Sequence, residues 1–134
     1  MNEPEFYVYK VREVVRVVDG DTIEFMIDYG FKEFGLKKVR VLDLDTYETI
    51  RRIRNGVKVS IEETIKGNEA KLHAIKIFET HDVLYIRTKK DQSTLGRYLA
   101  QIILRPKSGG ERVSYMTLMW EYDRRVDKFG VVAK

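Results

Sequence analysis

Between Val11 and Val18 the chain reads Val-Arg-Glu-Val-Val-Arg-Val-Val and stops at Asp19-Gly20. A β-branched run bounded by turn residues predicts a strand. In the next run, Thr22 to Ile27, the positions Ile23, Phe25 and Ile27 alternate with Thr22, Glu24 and Met26. That period of two predicts a second strand with one buried face. The short Asp-Gly connection makes the pair a hairpin. Asp28-Tyr29-Gly30 is expected to be the next turn and Lys37 to Leu44 the third strand, so the first three strands form an antiparallel meander.

Arg51 to Glu63 has no clean period and contains Asn55-Gly56, which predicts a loop. Asn68 is expected to cap a helix, with Glu69 in its first turn. Ala70, Ala74, Ile77 and Phe78 fall at helical spacing, Leu72 and Ile75 widen the stripe, and the helix should end near Thr80. Val83 to Thr88 predicts a fourth strand. Tyr98 to Leu104 predicts a fifth, apolar enough to be central. After Pro106 and Ser108-Gly109-Gly110, Ser114 can cap a second helix whose Met116, Met119 and Trp120 share a face. The tail from Asp123 to Lys134 is too short for a further core element. The order β-β-β-α-β-β-α predicts an α+β, mainly β domain: a five-stranded Greek-key barrel of the OB type with two helices. One domain is expected over residues 1–134, with its core at about 11–123.

Composition adds limits. The 134 residues carry a net charge of +4, which leans mildly towards anionic partners. Basic residues cluster at Arg51, Arg52 and Arg54, at Lys89 and Lys90, at Arg105 and Lys107, and at Arg124, Arg125 and Lys128. Such clusters are either solvated surface or a phosphate-facing footprint. No apolar run approaches the roughly 18 residues of a membrane span. The acidic start, Met1-Asn2-Glu3-Pro4-Glu5, does not read as a signal peptide, so an intracellular, cytoplasmic location is expected. The absence of cysteine excludes disulfides and thiolate metal sites.

The candidate chemistry lies at predicted strand ends. Asp19-Gly20-Asp21-Thr22 by itself is ordinary turn chemistry. It does not begin an EF-hand, because Gly30 stands where the twelfth loop position needs an acid. Asp45-Thr46-Tyr47-Glu48 follows the third strand and is either a polar strand end or part of a hard-cation site. Arg40 would be an odd inward-facing strand residue without an anion beside it. Alternation also puts Arg40 and Asp45 on opposite faces, so they share a site only if the strand bends or ends between them. Gly96-Arg97 precedes the fifth strand and means little alone.

Together these fragments resemble the staphylococcal (micrococcal) nuclease family. The match rests on Asp19-Gly20-Asp21-Thr22, Arg40, Asp45-Thr46, Glu48 and Gly96-Arg97, in that order and spacing. The resemblance implies a Ca²⁺-dependent phosphodiesterase acting on DNA and RNA, cutting between phosphorus and the 5′ oxygen to leave 3′-phosphates. It implies that Asp21, Asp45 and the Thr46 carbonyl bind Ca²⁺, with Asp19 behind them. Glu48 would handle the attacking water, and Arg40 and Arg97 would clamp the scissile phosphate. Such residues suit the chemistry, since attack by water adds charge to an already anionic phosphorus centre and arginine offers a permanently charged fork.

The sequence also departs from that family. Tyr47 stands where a proline is frequent and would be either a base-stacking ring or a tolerated loop residue. Thr94 and Leu95 replace a lysine and a tyrosine common before Gly-Arg, which puts the nucleotide grip in question. Arg51, Arg52 and Arg54 follow the acidic loop and are further candidates for phosphate contact. His73 and His81 are too scattered for a metal site, and Met116, Met119 and Trp120 read as core. The competing reading is a non-catalytic OB module that binds nucleic acid or a protein. Such modules usually lose the arginines or the glutamate, and this chain keeps Arg40, Glu48 and Arg97. No membrane partner is expected, and no particular protein partner can be read.

Overall fold

The alternation at Ile23, Phe25 and Ile27 sets the inner wall of the molecule. In a computed structural model of the chain these side chains are 0%, 0% and 2% exposed. Burial of each contributes about 1.5–3 kcal/mol. The structure describes residues 6–44, 53–54, 57–58, 61–90 and 98–126. The elements are β1 (Tyr7–Asp19), β2 (Thr22–Gly30), β3 (Glu33–Val41), β4 (Ile53–Arg54), β5 (Val57–Lys58), α1 (Ile61–Thr80), β6 (His81–Lys90), β7 (Tyr98–Pro106), β8 (Val113–Ser114) and α2 (Tyr115–Val126).

The main sheet runs β3-β2-β1-β6-β7-β8, and a parallel pairing of β3 with β7 closes it into a barrel of five long strands. The architecture is α+β and mainly strand, of the OB type. β1 begins earlier than its apolar run suggests because it serves two neighbours. Tyr7, Val8 and Tyr9 pair with Thr88, Arg87 and Ile86 of β6, and the rest of the strand pairs with β2. Register shifts after Val11, Val14 and Val17 bend the strand from one partner to the other.

Several boundaries differ from expectation. Asp28, Tyr29 and Gly30 complete β2, and the turn falls at Phe31-Lys32, both with positive φ (54° and 61°). A two-residue hairpin of the type I′ kind takes left-handed residues at both central positions, which matches the twist of its strands. β3 covers Glu33–Val41 instead of Lys37–Leu44. Gly35 is needed in the strand: a Cβ at this position would lie 2.7 Å from the Tyr29 ring. The strand stops at Val41, and Asp43 turns the chain with φ 61°.

The expected loop over 51–63 holds the β4–β5 ribbon, with Ile53 opposite Lys58 and Arg54 opposite Val57. In sequence the two strands are joined by Asn55-Gly56, a strong hairpin signal. Helix α1 starts at Ile61, not after Asn68. Ser60 and Glu63 have the spacing of a capping box. Asn68 lies mid-helix, and its amide donates to the Thr64 carbonyl at 2.9 Å. The stripe Ala70, Ala74, Ile77 is buried, whereas Leu72 is 64% exposed and does not belong to it. Ser114 caps α2 as expected, accepting from the Thr117 amide at 3.1 Å. Met119 is fully buried, with Met116 and Trp120 packed beside it. His73 stacks on Tyr122 between the helices, and His81 Nδ1 lies 3.0 Å from the Ile77 carbonyl at the end of α1. No helix among the described residues is long and apolar enough to cross a membrane.

Candidate functional site

Strand register builds the site. Asp19 pairs with Thr22, which leaves Gly20-Asp21 as the connection between β1 and β2. Across β2 and β3, Thr22 stands opposite Arg40. Beyond that pair the Val41 amide donates to the Asp21 carbonyl at 2.8 Å, fastening the end of β3 to the turn. Arg40 thereby stands beside the carboxylate of Asp21, with Nη2 3.4 Å from Oδ2. The other carboxylate oxygen accepts from Thr22 Oγ1 at 3.0 Å.

Arg40 does not point into the barrel. Val39 and Val41 on either side fill the interior, so alternation turns Arg40 outward. It is nevertheless covered: its side chain is 17% exposed and that of Asp21 is 9% exposed. Asp21 is thus the anion that Arg40 needs. Breaking a mostly buried pair by removing one partner costs roughly 3 kcal/mol or more, because the other charge is stranded. Asp19 is buried in the same turn.

A residue the sequence did not single out holds this turn from below. Tyr115, the first residue of α2, is fully buried and stacks on Phe78 of α1, with ring centroids 5.2 Å apart. Its hydroxyl donates to the Gly20 carbonyl at 2.5 Å. Burial, and secondarily the charge of Asp21, push its pKa well above the ordinary tyrosine value of 10.0, so the phenol remains a neutral donor. The signal available in sequence was its position directly after the helix cap Ser114, where a residue of the first turn can face the core.

Of the candidate residues, the structure brings Asp19, Asp21 and Arg40 together. Asp45, Thr46, Tyr47, Glu48, Arg51, Arg52 and Arg97 lie outside the described residues, and Arg54 is described only by its place in β4. β3 ends at Val41, and Leu44 is fully buried in the core. The parallel seam sets Arg40 opposite Leu99, two residues after Arg97 in sequence.

The donors that the resemblance assigns to a cation are all oxygens, the set that suits a hard ion such as Ca²⁺. Asp21 fits such a role, being a buried carboxylate at a strand end. Among the described residues no group of three His, Cys, Asp or Glu side chains comes together to hold a metal. Compared with known proteins, the chain matches no family model and no curated protein.

Proposed function

We propose that the chain is a Ca²⁺-dependent nuclease that hydrolyses phosphodiester bonds of DNA and RNA, leaving 3′-phosphates. The observation that carries this reading is the Asp21–Arg40 pair. Two strand ends that resemble a nuclease motif in sequence meet at 3.4 Å on the outside of a closed OB-type barrel. A carboxylate and a guanidinium side by side, at the rim of a rigid scaffold, are the parts that cation-assisted phosphoryl chemistry requires.

In this reading Asp21, Asp45 and the Thr46 carbonyl hold the cation, which supplies charge neutralisation at the phosphate. Arg40 and Arg97 take the non-bridging phosphate oxygens and favour the more highly charged transition state over the ground state. Glu48 orients the attacking water and accepts its proton. Asp21 keeps Arg40 extended until phosphate arrives, so little conformational freedom is lost on binding. Tyr115 and the Val41 amide fix the backbone on which Asp21 is carried.

The test is to incubate the protein with DNA and with RNA, in Ca²⁺ or in chelator, beside Arg40→Ala and Glu48→Ala. Cleavage that requires Ca²⁺ and falls at least about a hundredfold in both variants is expected. Equal background cleavage in all three proteins would overturn the reading. Salt-sensitive binding without cleavage would instead support a non-catalytic nucleic-acid-binding module.

A further inference from the structure

A cleft of about 590 Å³ opens between β1, β2, β3, β6 and β7. Tyr7, Tyr9, Tyr29 and Tyr98 line it together with Lys37 and Lys38, and among the described residues its lining contains no carboxylate. Tyr7, Tyr29 and Tyr98 are 52%, 41% and 44% exposed. Two contacts brace the Tyr29 ring. The Tyr29 ring lies over Gly35, where a Cβ would meet it at 2.7 Å, and the Tyr9 ring meets it edge-on at 5.8 Å. Gly35 therefore makes room for an aromatic ring that is held upright and left partly bare.

The cleft adjoins the Arg40 site. Lys38 and Val39 of its wall immediately precede Arg40, and Tyr98 immediately precedes Leu99, the residue opposite Arg40 across the seam. Lys38 and Arg40 are two positions apart on one strand and so share a face, with Cα atoms roughly 7 Å apart. Cationic groups at that spacing, with exposed tyrosines beside them, are the two halves of a single-strand platform: charge for the backbone and π-faces for the bases.

We infer that this cleft binds a base of single-stranded nucleic acid next to the nucleotide whose phosphate Arg40 holds. The base stacks against Tyr98 and the Tyr29 wall, and Lys37 and Lys38 meet the adjoining phosphates. The inference rests on the nucleic-acid reading above for the class of ligand, not on the cleavage step. It also supplies a base contact within a chain that has Thr94 and Leu95 before Gly96-Arg97.

The experiment measures binding of the full chain in chelator by fluorescence anisotropy. The probes are a labelled octathymidylate and a labelled abasic oligomer of the same length and charge. The parent is expected to prefer the thymidylate. Tyr98→Ser should weaken thymidylate binding about tenfold or more and leave the abasic oligomer unaffected. Gly35→Ala, which displaces the Tyr29 ring, should act in the same direction. Lys37→Ala, at an exposed position, should weaken both probes and lower the salt dependence by about one phosphate contact. Equal binding of the two probes by the parent overturns the inference. So does parental thymidylate binding by both Tyr98→Ser and Gly35→Ala. Loss of Ca²⁺-dependent cleavage as the only failure counts against the nuclease reading and leaves the cleft in place. Cleavage with no dependence on the cleft residues does the reverse.

Discussion

The barrel has two tight hairpin connections in its first three strands, and they are built in opposite ways. Gly20-Asp21, between β1 and β2, is buried and tied on several sides. Tyr115 Oη holds the Gly20 carbonyl, the Val41 amide holds the Asp21 carbonyl, and Thr22 and Arg40 hold the carboxylate. Phe31-Lys32, between β2 and β3, juts into solvent with Phe31 98% exposed and two non-glycine residues in the left-handed region. It is secured by strand pairing and by the Gly30 amide donating to Asp28 Oδ1 at 2.8 Å. A turn needed only to reverse the chain can carry strain and stay exposed. The first turn draws on three other elements, β3, α1 and α2, to hold one carboxylate and two carbonyls.

The largest effect should come from breaking the first turn's charge pair without removing its charge. Arg40→Lys keeps a cation opposite Asp21 and loses the planar fork that grips phosphate. Its melting temperature is expected to stay near that of the parent, while Ca²⁺-dependent cleavage falls about a hundredfold in a fixed-time digest. Wild-type cleavage by this variant would mean that Arg40 serves only to neutralise Asp21.

An intermediate effect is expected from Tyr115→Phe, which leaves the stacked ring in place and removes the bond to Gly20. An unpartnered buried carbonyl costs about 1–2 kcal/mol, readable in chemical denaturation. The pH dependence has a definite sign. The folded-state pKa of Tyr115 lies above 10.0, so the unfolded chain loses this proton first as pH rises. The stabilisation is complete below pH 10.0, declines above it, and levels off only once the folded-state value is passed. The phenylalanine variant should show a shallower alkaline decline, and identical alkaline limbs in both proteins would contradict the assignment.

The smallest effect concerns the second turn, where the change is expected to help. Phe31→Asn together with Lys32→Gly installs residues suited to two left-handed positions. Relief of that strain should raise stability by about 1 kcal/mol with cleavage unchanged. A loss of stability would show that the exposed Phe31 contributes something beyond reversing the chain.

How much of this could be read from the sequence depended on whether the signal was local. The alternation of Ile23, Phe25 and Ile27 set the inner face of β2, and the buried stripe from Ala70 to Ile77 was visible at helical spacing. Strand count and barrel type followed from such patterns. Asn68 misled because the same side chain that caps a helix can instead bond back to the carbonyl four residues earlier. Leu72 misled because apolar character alone does not place a residue on the packed face of α1. Asp21 and Arg40 were each suspected, but their contact depends on Thr22 pairing with Arg40, and register is not written in either strand alone. The place of Tyr115 after Ser114 could suggest its burial, but its bond to the turn was out of reach for a stronger reason. Its partner is a backbone carbonyl 95 residues away, which leaves no mark on side-chain chemistry at either end.

The parallel seam between β3 and β7 has a consequence for motion. Arg40 and Val41 face Leu99 and Ala100 there, and the Leu42 amide bonds to the Ala100 carbonyl at 2.8 Å, whereas the Val41 amide bonds to Asp21 within the first hairpin. Adjacent amides of this chain thus tie it to different neighbours, one to the β1–β2 turn and one to β7. If the barrel breathes by parting this seam, Leu42 is released to exchange its hydrogen with solvent while Val41 stays protected by its bond to Asp21, and the Asp21–Arg40 pair is kept by the pairing of β2 with β3.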